Sequence, residues 1–571
     1  MPERKTPSYA VEQLRARALH QHFFRRFFDN DTLSSGGDTT TSVVRALCFC
    51  AVPGLMVAFW LLPAYGSYAG RDTWARAADR YFFVLFSFVV MGVVTTFEWE
   101  MLFPDRADFL ILLPLPLKAR ELFVAKGRAL LTMLVVFLAA SNIFSLILFP
   151  AVSTGRRENY FHTAAAHGAA VLSAGIFAAC CMLAIEGVCI CVLPQGWQRR
   201  ITPIVQALAT TVLLVLLLLF PLFGAHMQTL LEGHAGFSVY IPPLWFLGLY
   251  EDLVLGAAAP AGARLLGVIG MYATGFAAAL ALATYPLAWA RQKRRTLEGA
   301  SQSRKPGSAW FSAPLHRRIL KRPQERAVFH FVSQTLLRNS HYQIYLAIYA
   351  GVGLALALAS MVTLRITPAH ALVPALSNPG LHAVLPLLLF WLAVGLRVAF
   401  GFPVDMRARW IFPINLLRGG EHTRGTGVWV LLCCGALTCA VVAALAVAGW
   451  RGSALLEQLI WGVALSLLLA DVFFFHTIRI PFTYPRLPGR ANLPITLILY
   501  AAAFPVFVLL TVYLEIQSEQ RVVILLRVLV GIAALHLLLK AASRYTQSDA
   551  LTGFAHDEDE DEFQTLGLSA Y

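Results

Sequence analysis

A chain of 571 residues in which 58% are hydrophobic and only 14% are charged has too little polar surface to cover a soluble domain of that size. The formal charge of +14 invites a nucleic-acid partner, but basic residues gathered in short loops between apolar runs serve to orient membrane helices instead. Both a soluble protein and nucleic-acid binding are set aside. The expected fold is an all-α polytopic membrane protein with about twelve transmembrane helices in two related six-helix halves.

In chain order, residues 9–30 mix Leu14, Phe23, Phe24, Phe27 and Phe28 with Arg15, Arg17, Arg25 and Arg26. That composition suits a helix lying in the cytoplasmic interface, or a plain basic juxtamembrane segment. The N-terminal stretch has no apolar core, so no cleavable signal is expected and the first span serves as the insertion signal. Spans are expected at 42–63, 81–97, 129–150, 165–193, 204–223 and 265–290. Between the last two lies SVYIPPLWFLGLYEDL, too apolar for a solvated loop and too interrupted by Pro242 and Pro243 for a plain span. Short re-entrant or interfacial helices at the outer surface are predicted there, with Trp245 and Phe246 in their apolar part. Arg291, Lys293, Arg294 and Arg295 fix the end of the sixth span inside.

This first half, 1–295, is followed by a polar, basic linker at 296–324 and a second half at 325–545. Its spans are expected at 343–362, 383–400, 427–450, 455–475, 495–513 and 522–540, after an interfacial segment at 325–342. An acidic tail, 546–571, carries six consecutive acids at 557–562 and reads as a solvated end. Lys and Arg cluster in alternate loops, which places both termini in the cytoplasm; Arg71, Arg76, Arg80, Arg156 and Arg157 run against the pattern.

No Gly-rich loop ends in Gly-Lys-Ser or Gly-Lys-Thr, and no His-Glu-x-x-His pair or Gly-x-Ser-x-Gly elbow occurs. No catalytic residue, metal site or cofactor is therefore assigned to this chain, and a membrane-embedded lipid enzyme lacks a recognisable nucleophile. The nine cysteines fall within apolar runs, where they act as small hydrophobes. Intramembrane acids are stronger signals, because a charge in lipid is costly and faces a protein interior or an aqueous path. Glu186 in the fourth span and Asp471 in the tenth are such acids, read either as a coupling-ion or substrate site or as structural hydrogen-bonding groups.

A charged, proline-punctuated segment, 103–128, separates the second and third spans and contains Asp108, Pro114, Leu117, Lys118, Arg120, Leu122, Phe123 and Lys126. Past its prolines, apolar and charged residues alternate at near-helical spacing, which predicts a short amphipathic helix able to press into a partner's groove or to lie on lipid headgroups. The segment has a partial copy. Residues 402–413 again start Phe-Pro, the spacing from Pro104 to Pro114 recurs from Pro403 to Pro413, and Arg418 follows in a Gly-rich continuation unsuited to a stable helix.

The order of these features resembles the permease subunits of ATP-binding-cassette exporters of the ABC-2 type. The resemblance rests on an interfacial N-terminal helix, two spans, an inner loop running from Asp108 through Leu112, Leu113 and Pro114 to Lys126, three further spans, and the outer excursion YIPPLWFLGLY. It implies that 115–126, and more weakly 414–424, are coupling segments seated on a soluble ATPase subunit present in two copies. It also implies that ATP and Mg bind that partner rather than this chain. The expected function is then ATP-driven export of an amphipathic or lipid-like substrate across a bacterial inner (plasma) membrane. An ion-coupled secondary transporter using Glu186 and Asp471 is the alternative, since related halves with midplane acids are also its signature.

Overall fold

The computed structural model describes residues 7–27, 39–66, 71–103, 112, 115, 117–154, 159–232, 236–297, 320–338, 340–366, 372–401, 419–475, 481–482 and 493–553. It is an all-α polytopic membrane protein. Among the described residues, eleven helices are long and apolar enough to cross a bilayer, and Leu346–Met361 is a shorter apolar helix. The chain divides into two compact units, Met1–Ser303 with Thr363–Ala375, and Arg304–Val362 with Leu376–Tyr571.

In the first unit α1 (Pro7–Arg26) precedes the spans α2 (Thr39–Gly66), α3 (Thr73–Phe97), α4 (Ala119–Ser153), α5 (Tyr160–Val192) and α6 (Gln195–Leu218). Three short helical pieces, Phe220–Ala225, Met227–Leu231 and Gly236–Tyr240, then lead to α7 (Pro242–Leu255), and α8 (Ala261–Leu297) closes the unit. Helix starts follow their caps: the Asp72 carboxylate accepts from Trp74 N–H, and the Asn159 side chain accepts from Phe161 N–H. At α7, Pro242 and Pro243 occupy the first turn, where a missing N–H costs nothing, and Gly256 at φ +55 ends the helix. The proline-interrupted excursion thus holds a helix of fourteen residues, and it packs on α3, α5 and α8.

The second unit contains α9 (Pro323–Arg338), α10 (Ser340–Met361), α11 (Asn378–Phe400), α12 (Gly419–Val447), α13 (Ser453–Ala470), α14 (Leu493–Gln520) and α15 (Val522–Gly553). A two-stranded hairpin, β1 (Val362–Ile366) and β2 (Leu372–Leu376), links α10 to α11. The pairing of Ser377 N–H with Met361 O, and of the Thr363 hydroxyl with Ala375 O, sets it antiparallel. Hydropathy alone gave no sign of these strands. Helix α13 passes into a π-helical turn at Asp471–Phe475, and Arg521 alone separates α14 from α15.

Lipid tails are as apolar as leucine, so helices in a bilayer are held by close packing and interhelical hydrogen bonds. Both are present. A Cβ on Gly187 of α5 would lie 2.4 Å from the Thr284 hydroxyl of α8, and one on Gly380 of α11 would lie 1.9 Å from Ser360 O of α10. Within the first unit the Asn142 amide donates to Ser87, whose hydroxyl donates to Val171 O, tying α4, α3 and α5 together. In each unit the second span is deeply enclosed: 72% of the apolar window is buried for α3 and for α11, against none for the last span of α15. These two enclosed helices are the axes about which the polar sites are arranged.

Candidate functional site

At the end of the first unit where α3 begins, Arg80 donates from Nη1 to Glu251 Oε2 of α7 at 2.8 Å, with both side chains buried. The guanidinium also lies over the Tyr250 ring, 5.2 Å from its centroid, and His167 of α5 stacks edge-on to the same ring. Arg80 Nε, Glu251 Oε1 and both ring nitrogens of His167 have no hydrogen-bond partner among the described residues. Nearby, Arg71 holds Asp79 with two hydrogen bonds, and Tyr65 donates to the same carboxylate. Two of the arginines that run against the charge bias are therefore neutralised within the fold. The partner of Arg80 lies 171 residues away on the excursion helix.

The corresponding end of the second unit carries a different pair. His382, near the start of α11, meets Glu515 Oε1 of α14 through Nδ1 at 2.6 Å, and its Nε2 lies 3.7 Å from Glu519 Oε1. Gln458 of α13 donates to Glu515 Oε1, Ser518 donates to Glu457, and Trp461 donates to Ser518 at 3.2 Å. Trp450 stacks on the His382 ring with centroids 4.8 Å apart. Glu515, Gln458 and His382 were not singled out by sequence, because their meeting depends on helices 57 to 133 residues apart.

At the opposite end of the first unit lie the residues of the charged segment. Asp108, Pro114, Pro413 and Arg418 fall outside the described residues, as do 298–319 of the linker and 554–571 of the tail. The rest of the first segment is not a separate amphipathic helix. Lys118 is the N-cap of α4, and the helix runs unbroken into the third span because Gly127 alone does not stop it. Leu115, Lys118 and Arg120 are exposed and Leu117 is half-buried. Leu122 is buried, and Phe123 packs on Tyr285 and Trp289 of α8 at ring separations of 5.6 and 5.2 Å. Lys126, 1% exposed, sets its ammonium 5.0 Å from the centroid of Phe23 and 5.2 Å from that of Phe27. Those phenylalanines, part of the segment read as an interfacial helix, pin α1 to α4. Of the residues predicted to dock, Leu122, Phe123 and Lys126 are thus occupied inside the unit.

Glu98, just past α3, is buried beside this helix junction. Burial pushes its carboxyl up to about 8, and Lys126 pulls it back only in part. Burial, with Arg26 and Lys126, holds His22 below the usual histidine range. A groove of about 470 Å³ between α1 and α4 is lined by Ala16, Arg17, His20, Gln21 and Arg128.

The two intramembrane acids are both buried. Glu186 sits on α5 beside the Gly187–Thr284 contact, within electrostatic range of Tyr285. Asp471 opens the π turn after α13 and meets Nδ1 of His536 on α15 at 2.7 Å. Trp245 donates its indole N–H to Val239 O at 2.8 Å, while Pro243 and Phe246 are buried and Pro242 half-buried at the start of α7. No group of three or more His, Cys, Asp or Glu among the described residues could hold a metal ion. Comparison with known protein families, characterised proteins and solved structures returns no match for this chain. The fold defines its class, a multi-pass membrane protein.

Proposed function

We propose that the chain is the membrane-spanning subunit of an ATP-driven exporter of the ABC-2 type, moving an amphipathic or lipid-like substrate. The observation that carries this reading is the construction of α4. Its exposed beginning, with Leu115, Lys118 and Arg120, continues into a single helix of 35 residues, about 50 Å long. The next turn is gripped by Tyr285 and Trp289 on one side and by α1 on the other. A force applied at that exposed edge by a soluble ATPase on the cytoplasmic face would tilt a rigid lever that already holds α1 and α8. The linked displacement at Tyr285 then reaches Glu186 on α5.

The test is co-expression with a candidate ATPase subunit that carries a phosphate-binding loop. Combining Leu115→Asp, Lys118→Glu and Arg120→Glu should abolish co-purification while leaving the melting temperature of the isolated chain unchanged. A complex that survives all three changes sinks the docking assignment.

One observation favours a second reading, an ion-coupled secondary transporter: Asp471 is buried at a helix irregularity and paired with His536, an arrangement suited to carrying a cation or proton. Gradient-driven uptake by vesicles containing this chain alone, abolished by Asp471→Asn, would favour it over the ATP-driven reading.

A further inference from the structure

The buried cluster where α11, α13 and α14 meet contains two acceptor oxygens that have no donor among the described residues, Glu515 Oε2 and Gln458 Oε1. Glu515 is 2% exposed and Gln458 1%. Orphaned acceptors at such depth are unfavourable. Their shared geometry suggests a remedy. The Gln458 amide already donates to Glu515 Oε1, so the two planar groups face each other along one edge. One hydrogen on Glu515 Oε2, donated to Gln458 Oε1, completes a cyclic acid–amide pair and satisfies both orphans at once.

We propose that this cluster is a proton-binding site, with Glu515 as the group that holds the proton and His382 as the positioning residue through which it arrives. The charged and titratable groups facing the site are His382 from α11, Glu457 from α13, and Glu515 and Glu519 from α14. They are graded in depth: the Glu519 side chain is 40% exposed, that of His382 10% and that of Glu515 2%. A proton taken from the medium by Glu519 adds to Nε2 of His382, giving an imidazolium. Nδ1 then passes its own hydrogen to Oε1 of Glu515, leaving a neutral imidazole in the other tautomer and a carboxylic acid. Rotation of that carboxyl presents the hydrogen to Gln458. The net change is one proton gained by Glu515, and the reverse order releases it.

The Arg80–Glu251 pair of the first unit lacks this relay, because its cation is an arginine, which does not give up its proton. The inference does not rest on the ATP-driven reading: a proton here would bias the packing of α11, α13 and α14 whatever energy source moves the substrate.

Infrared difference spectroscopy on the full-length chain in lipid nanodiscs, acid minus alkaline, tests it. The wild type should show a protonated-carboxyl stretching band that is lost in Glu515→Gln. In Gln458→Leu the band should persist but move to higher frequency as its hydrogen bond is lost. After an acid jump, His382→Gln should load the same band about a hundredfold more slowly. Three results would overturn the proposal: a band unchanged in Glu515→Gln, a band lost with Glu457→Gln instead, or wild-type loading kinetics in His382→Gln. Should Glu515→Gln fail to fold, the Gln458→Leu frequency decides the matter alone, since an unmoved band excludes the acid–amide pair.

Discussion

Beside its enclosed second span each unit buries a cation–carboxylate pair, Arg80 with Glu251 and His382 with Glu515, and the two are built from different chemistry. Arg80 and Glu251 form a permanently charged bond braced by aromatic rings, whereas His382 and Glu515 sit among an amide, a hydroxyl and two further acids. The difference teaches what a buried pair is for. A guanidinium has no neutral state to visit, so the first pair fixes α7 against α3; an imidazole does, so the second can change its charge without unfolding.

The comparison can be broken most severely in the first unit. Glu251→Leu leaves Arg80 buried without its partner and should cost about 3–5 kcal/mol, while the double change Arg80→Met with Glu251→Leu should recover much of it. Thermal unfolding in detergent or nanodiscs reads both; an equal loss in the two variants would mean that packing, not charge, dominates. In the second unit Glu515→Leu removes an acceptor shared by two donors and should cost about 1–3 kcal/mol, less than the first because the imidazole can shed its charge. Equal penalties in the two units would remove the distinction between fixed and titratable pairs.

A smaller effect is expected at the opposite end of the first unit. Lys126→Met keeps the length of the side chain but removes the cation over Phe23 and Phe27, for a loss of about 1–2 kcal/mol and faster proteolytic release of α1. The smallest effect is a slope. The native Glu98 carboxyl keeps its proton up to about pH 8, whereas the unfolded group releases it near 4.5. The native state therefore binds more protons across that window, and its stability falls as pH rises through it. Glu98→Gln should flatten the fall in melting temperature between pH 4.5 and about 8, and an unchanged slope would assign it to another group.

The spans were legible because a bilayer permits few ways of satisfying the backbone, so runs of apolar residues declare their helices directly. The excursion was legible in kind: Pro242 and Pro243 ruled out a plain span and short helices were expected, although the single helix those prolines start and its packing on α3 could not be foreseen. The segment before the third span was misjudged in form. Alternating charges at 117–126 read as a free amphipathic helix, but nothing there breaks the chain before the apolar run, so one continuous helix results and its inward face is covered by α1. The ion pairs were illegible for a simpler reason. Arg80 stood out as a misplaced positive charge and Asp471 as a buried acid, but their partners Glu251 and His536 are fixed only by tertiary structure.

A turn of one residue, Arg521, leaves α14 and α15 no slack to separate without unwinding, so the two arms stay side by side as one hairpin. None of the apolar span of α15 is enclosed by protein, and one polar tie to the rest runs from His536 to Asp471. The outer arm of this hairpin is thus solvated chiefly by lipid, and its docking on the second unit includes a polar bond to the π turn of α13.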